Sequence, residues 1–215
     1  MCIPYLFLSI LLFAFVTPCF SQGCKYLTNP SFEDTPRQNQ ALKGWEDCGQ
    51  SNESPVDVHG SYPDSTLFGV KEHAEHGETF LGMVVRDNGT YEGVSARLLQ
   101  PLLKDTAYKL TVMVKQSPTY HSVSRSTNKP MNYDQPVLLE IWGGLVHCQK
   151  ITLLAEYKVD NQDDWTETTF YFTPERNIRY LGLYARHTNK FYDNGNALLD
   201  NLQIVKVDAV TLEER

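Results

Sequence analysis

The stretch "YKLTVMVKQ", residues 108 to 116, decides the fold. Tyr108, Leu110, Val112 and Val114 alternate with Lys109, Thr111, Met113 and Lys115. A period of two puts the first set on one face of a β-strand and the second on the other, one face buried and one solvated. Runs of similar character lie on both sides of it: "GETFLGMVV" (77–85), "PVLLEIWGG" (136–144), "WTETTFYFTP" (165–174), "IRYLGLYARH" (178–187) and "ALLDNLQIVKV" (197–207). Clusters of Pro, Gly, Asn and Asp separate them, and no stretch sustains a helical period between caps. Many strands punctuated by turn residues predict an all-β chain, an antiparallel β-sandwich of jelly-roll, galactose-binding-like type.

Two connections are longer than a hairpin needs. "SPTYHSVSRSTNKPMNYDQP" (117–136) exceeds the roughly 12 to 15 residues beyond which a loop is usually functional or disordered. It carries Tyr120, His121, Arg125, Asn128, Asn132 and Tyr133, groups worth ordering. The stretch from Cys48 to Tyr62 is the second. "DNGN" (193–196) reads as an Asn-Gly hairpin turn.

Residues 1 to 20 hold no charged side chain and are rich in Leu, Phe, Ile and Val before Pro18 and a small-residue exit. This predicts a signal peptide over 1–21, cut after Ser21, and a secreted or surface-exposed single domain over 22–215. The formal charge of −7 and the lack of a basic run argue against nucleic acid and anionic membrane as partners. Cys24, Cys48 and Cys148 then remain, so one disulfide and one free or lipidated thiol are expected, with three pairings open. No pair has the spacing of a zinc site.

Acids stand at both ends of the domain. "KYLTNPSFED" (25–34) offers Asn29, Glu33 and Asp34, and "ALLDNLQIVKV" offers Asp200 and Asn201. Calcium takes six to eight hard oxygen ligands, and two acids brought together are costly without a cation. If the first and last strands pair, these groups converge on such an ion. On spacing alone, the bland alternative is that Glu33 and Asp34 are solvated and Asp200 caps a turn.

"NPSFED…GW" and "LLDNLQI" resemble the terminal signatures of secreted carbohydrate-binding-module-like jelly rolls. That resemblance implies a structural calcium between Glu33 and Asp200. A closer resemblance is to a domain that recurs in secreted bacterial surface proteins. It is carried by "NPSFED", "WEDCG", "SPVDV", "FLGMVVRDNGTYEGVS", "SVSR", "NYDQPVLLEIWGG" and "NGNALLDN". Cys48 and Cys148 lie in or beside these strings, so the resemblance implies a Cys48–Cys148 disulfide.

The expected function is binding of a glycan or polysaccharide. Sugar recognition needs flat aromatic faces and planar polar groups, and here Tyr120, Tyr133 and Trp142 are the candidates for stacking. Arg86, Asn88, Arg125 and Asn132 are those for hydrogen bonding. Core packing is the alternative for Tyr133 and Trp142 and the preferred reading for Trp45 and Trp165. "EHAEH" (72–76) lacks the H-E-x-x-H and H-x-x-E-H spacings, and no G-x-S-x-G elbow exists, so a non-catalytic domain is expected. A surface adhesion or assembly module that binds another protein is the alternative, and a glycan-cleaving enzyme the third reading.

Overall fold

The computed structural model describes residues 25–207, so the predicted signal segment and Cys24 lie outside the described residues. The strands in chain order are β1 (Glu46–Asp47), β2 (Asp57–Gly60), β3 (Thr79–Val85), β4 (Gly93–Leu102), β5 (Tyr108–Lys115), β6 (His121–Val123), β7 (Pro130–Asn132), β8 (Val137–Gly144), β9 (Thr152–Val159), β10 (Thr166–Phe172), β11 (Ile178–His187) and β12 (Gly195–Lys206). They form two five-stranded antiparallel sheets, β1-β4-β11-β8-β9 and β10-β5-β12-β3-β2, and a hairpin, β6-β7. The predicted antiparallel β-sandwich of jelly-roll type is the fold.

The alternation read in β5 is what joins the layers. Tyr108, Leu110, Val112 and Val114 are buried in the main core with Val94, Leu139, Ile141 and Leu183 from the facing sheet. The other face of the same sheet is not open to solvent as expected. Lys109, Thr111 and Met113 are half-buried, and Lys115 is buried with its ammonium 2.7 Å from Glu72. A second apolar cluster covers that outer face, where Phe80, Val84 and Leu198 pack against Val70, Tyr120 and Tyr133. All seven residues of β3 are therefore buried, and its sequence reads as a near-continuous apolar run.

The long loop 117–136 earns its length here. It folds back as the β6-β7 hairpin, with Ser122 opposite Met131, and carries Tyr120 and Tyr133 onto the outer face of β3 and β12. "DNGN" is not a hairpin turn. It ends a crossover, because β11 and β12 belong to different sheets.

The N-terminal segment corrects another expectation, since residues 25–36 form no strand. They dock by single hydrogen bonds: Leu99 N–H donates to the Tyr26 carbonyl at 2.9 Å and Leu202 N–H to the Pro30 carbonyl at 2.8 Å. The second bond is possible because β12 bulges between Asp200 and Gln203, with Asn201 at φ 46°. Asn tolerates that left-handed backbone better than most residues. Lys25, Tyr26, Leu27 and Pro30 share a shallow cleft of about 350 Å³ with residues Leu202 to Val205 of β12.

Cys48 and Cys148 form a disulfide with Cα atoms 5.4 Å apart, the pairing implied by the resemblance. It ties the loop leading to β2 to the turn after β8.

Candidate functional site

The β6-β7 hairpin does not lie flush on the sheet. Between it and the ends of β2 and β3 is a cavity of about 200 Å³, lined among others by Ser54, Asp57, Arg86, Glu92, Tyr120 and Arg125. These six come from three separate stretches of the chain. Asp57 opens β2, Arg86 follows β3 and Glu92 precedes β4. Four of the quoted strings, "SPVDV", "FLGMVVRDNGTYEGVS", "SVSR" and "NYDQPVLLEIWGG", thus deliver residues to one place.

Arg86 is the centre of the wall and is only 3% exposed. Its Nη2 donates to Ser54 Oγ at 2.6 Å and to a Glu92 carboxylate oxygen, and its Nε lies 3.8 Å from Glu53. Its Nη1 is buried with no hydrogen-bond partner among the described residues. A buried guanidinium donor left unmatched is uncommon, because desolvation without a bond costs about 1–3 kcal/mol or more.

Two buried acids face this cation. Burial pushes Glu92 well above the usual carboxylate range, and Asp57 pushes the same way; Arg86 and the Val84 N–H, which donates at 3.0 Å, pull it down. Burial also raises Asp57, to about 6, against the Tyr120 hydroxyl, the Asn39 N–H at 2.9 Å and Arg86. Glu53 stands at the rim. Burial raises it, but Asn88, Arg86 and Arg125 outweigh that and hold it below its ordinary value. The two arginines are thus matched by carboxylates.

The sequence-predicted residues divide into four groups. Arg86 and Arg125 line the cavity, Arg125 at its mouth with Nε 3.2 Å from Glu53. Tyr120 and Tyr133 reach the cavity too, but not as open stacking faces. Tyr120 is stacked between Phe68, with centroids 4.8 Å apart, and Tyr133, at 5.8 Å, and only its hydroxyl is directed to Asp57. The Tyr133 hydroxyl donates to the Val123 carbonyl at 2.7 Å. Asn88 and Asn132 hold backbone in place. Asn88 accepts from Thr90 N–H at 3.2 Å and donates to the Glu53 side chain at 3.0 Å, and Asn132 accepts from Tyr120 N–H at 2.8 Å and donates to the Pro118 carbonyl. Trp142 lies elsewhere, on the outer face of the other sheet, half-buried and donating to Glu140 at 2.8 Å. Trp45 is buried in the main core and Trp165 packs on Phe80, both as expected for packing residues.

Sequence reasoning missed Asp57, Glu92 and Ser54. The signal was present: an acid opens one apolar run, in "SPVDV", and another precedes the next, in "TYEGV".

The terminal acids meet at one turn. Ser31 Oγ donates to Asp200 Oδ1 at 3.0 Å and lies 3.3 Å from the His76 carbonyl, and His76 N–H donates to Asp200 Oδ2 at 2.9 Å. Glu33 reaches the same turn and accepts from Glu78 N–H at 3.2 Å. Its carboxylate occupies the space of a side chain at Gly77, where a Cβ would fall 1.8 Å from Glu33 Oε1. Asp200 is fully buried, and burial raises it to about 6. Two carboxylates, a hydroxyl and a carbonyl thus lie around one turn, oxygen groups of the type that calcium takes. Asp34 belongs to a different arrangement, an ion pair with Arg37 at 2.8 Å that holds it far below the carboxylate range.

No protein-family model matches this chain, and no curated protein does. Solved structures share its architecture. A Stig cyclase, Fisc, from Fischerella sp. TAU, in complex with (3Z)-3-(1-methyl-2-pyrrolidinylidene)-3H-indole, superposes with a TM-score of 0.55 at 16% identity, over 86% of this chain and 98% of that one. The K1 cleaved adhesin domain of Lys-gingipain from Porphyromonas gingivalis W83 gives 0.51 at 12% identity, over 83% and 96%. The CBM22-1 xylan-binding domain of Paenibacillus barcinonensis Xyn10C gives 0.44 at 19% identity, over 83% and 92%. At these identities the likeness is one of fold: a single sandwich architecture carries a cyclase, an adhesin domain and this chain.

Proposed function

We propose that this protein is a secreted, non-catalytic binding domain that holds one neutral sugar unit in the Arg86 cavity, with calcium between Glu33 and Asp200. The observation that carries the reading is the small polar cavity walled by Arg86, whose buried Nη1 has no acceptor among the described residues. A ligand hydroxyl that displaced the wall slightly on entering would satisfy it. At about 200 Å³ the cavity is smaller than the roughly 300–1,000 Å³ of a drug-sized site, which favours a single ring over a length of chain. Asp57, Ser54 and Arg125 supply further donors and acceptors for a polyol. Both oxygens of Asp57 and of Glu92 already accept protein hydrogen bonds, an arrangement suited to a fixed binding wall.

The test is a glycan and polysaccharide array with the purified protein in calcium buffer, repeated with Arg125→Ala. Hits that disappear in the variant support the cavity. Silence across the array removes the glycan reading and favours the adhesion module. The exposed Leu145, Val146 and Leu153 at the β8-β9 end offer that alternative an apolar contact.

A further inference from the structure

The turn between β3 and β4 has the Arg86 cavity on one side and, on the other, a feature built from different residues. Phe191 and Tyr192, in the crossover from β11 to β12, are 79% and 58% exposed. Adjacent exposed aromatics on a polar surface suggest a contact site, since such side chains are usually withdrawn from water.

Tyr192 is exposed but not loose. One side of its ring is seated on Gly89, where a Cβ would fall 2.9 Å from the ring. The His187 ring packs against it with centroids 5.0 Å apart. The crossover that carries it is braced from within and without. Asn189 accepts from Phe191 N–H at 2.8 Å and donates to Asp193 at 3.2 Å, and Asn194 accepts from Asp87 N–H at 3.0 Å. A ring fixed on one side and open on the other loses little conformational entropy when something stacks on it.

A depression lies on either side of this ring. One, of about 520 Å³, is lined by Gln50, Tyr91, Arg186, His187 and Lys190. The other, of about 430 Å³, is lined by Asp87, Asn132, Asp134 and Gln135. Tyr192 forms part of both walls. Each is larger than the Arg86 cavity and in the range of ordinary ligand sites. His187, in the wall of the first depression, has its Nε2 buried without a partner among the described residues, and burial holds the imidazole below its usual range.

From this we infer that the Phe191–Tyr192 ridge is a second saccharide site, which takes an extended neutral oligosaccharide lying across the Tyr192 ring with sugar units in the depressions to either side. The ring offers a face to sugar C–H groups, and the carboxamides and charged groups of the two walls take the hydroxyls. A protein partner would be served by an aromatic anchor with apolar surroundings, whereas the first wall is polar and the second sets Asp87, Asn132, Asp134 and Gln135 around a single Met131. The ligand class rests on the glycan reading of the Arg86 cavity; the site does not, since it shares no residue with that cavity.

The experiment uses the whole protein and hexasaccharides of β-1,4-linked glucose, xylose and N-acetylglucosamine, with the three monosaccharides alongside. Ring resonances of Phe191 and Tyr192 are followed by aromatic NMR, and affinities by calorimetry for the native protein, Tyr192→Ala, Tyr192→Phe and Arg125→Ala. The expected result is that a hexasaccharide shifts both rings, that Tyr192→Ala binds it about tenfold more weakly, and that Tyr192→Phe binds normally. Hexasaccharide binding with silent rings and an unchanged Tyr192→Ala overturns the ridge and leaves the cavity standing. Shifted rings without monosaccharide binding or any effect of Arg125→Ala support the ridge and overturn the cavity. No binding by any of the sugars overturns the ridge as a saccharide site for these probes.

Discussion

Tyr120 and Asp57 share a hydrogen bond within the protein, in which the phenol donates to a carboxylate that is 2% exposed. The carboxyl sits at about 6 against an ordinary 3.8, with burial as the main cause. Its folded-state value lies above its unfolded one, so it contributes stability that is present below about pH 4 and lost as pH rises through 6. Asp57→Asn can keep both bonds, accepting from Asn39 N–H and donating to the Tyr120 oxygen. We expect that variant to be more stable than the native protein at pH 8, on the order of 1–2 kcal/mol, and no more stable at pH 4. Urea titrations of the two proteins at both pH values check this, and equal differences at the two would sink it.

Arg86 and Glu92 are an ion pair out of water. Breaking such a pair from one side leaves a buried group unmatched and costs about 3–5 kcal/mol, while replacing both partners by apolar residues is often neutral. Arg86→Met should therefore be strongly destabilised, and Arg86→Met with Glu92→Leu should recover most of the loss. The double variant should still bind no sugar in the cavity. A double variant as unstable as the single one would show that the pair is needed for folding as well.

If calcium joins Glu33 and Asp200, calcium should raise the melting temperature over a chelated control. That increment should vanish in Glu33→Gln and in Asp200→Asn, because each removes a carboxylate from the oxygen set. Asp34→Asn should lose stability through its bond to Arg37 but keep the calcium response. A melting temperature indifferent to calcium would remove the ion from the description.

The Cys48–Cys148 bond closes a loop of about 100 residues, for which chain entropy gives up to about 4.7 kcal/mol. Cys148→Ser should cost about 2–5 kcal/mol in chemical denaturation. It should also weaken ligand binding more than a variant of equal instability in the main core, because Glu53 and Ser54 follow Cys48 in the loop that walls the cavity.

The fold was legible wherever a strand buries one face and leaves the other wetter, as β5 does. β4 and β9 were not read because their patterns are broken by exposed Leu99 and Leu153. The hairpin β6-β7 hid in a polar loop because its strands have three residues each, too few to show a period. At the site, Arg125 stood out as a charge in a polar loop, and Arg86 as a planar fork that could equally pair with an acid on the sheet surface. Asp57 and Glu92 did not, because an acid beside an apolar run looks the same whether it faces water or a buried arginine. Only the tertiary fold, which sets Glu92 beside Arg86, distinguishes the two. Tyr120 and Tyr133 turn covered rings to the cavity, and no sequence pattern tells an open ring face from one covered by Phe68.

Lys25 and Val205 line the same cleft, so the described chain enters and leaves the sandwich side by side. Tension applied between those two points loads the N-terminal segment, which is held to β4 through Tyr26 and to β12 through Pro30. The Arg86 cavity and the Tyr192 ridge do not include that segment. A domain tethered at both ends could thus give way at its anchor while its grip stayed intact.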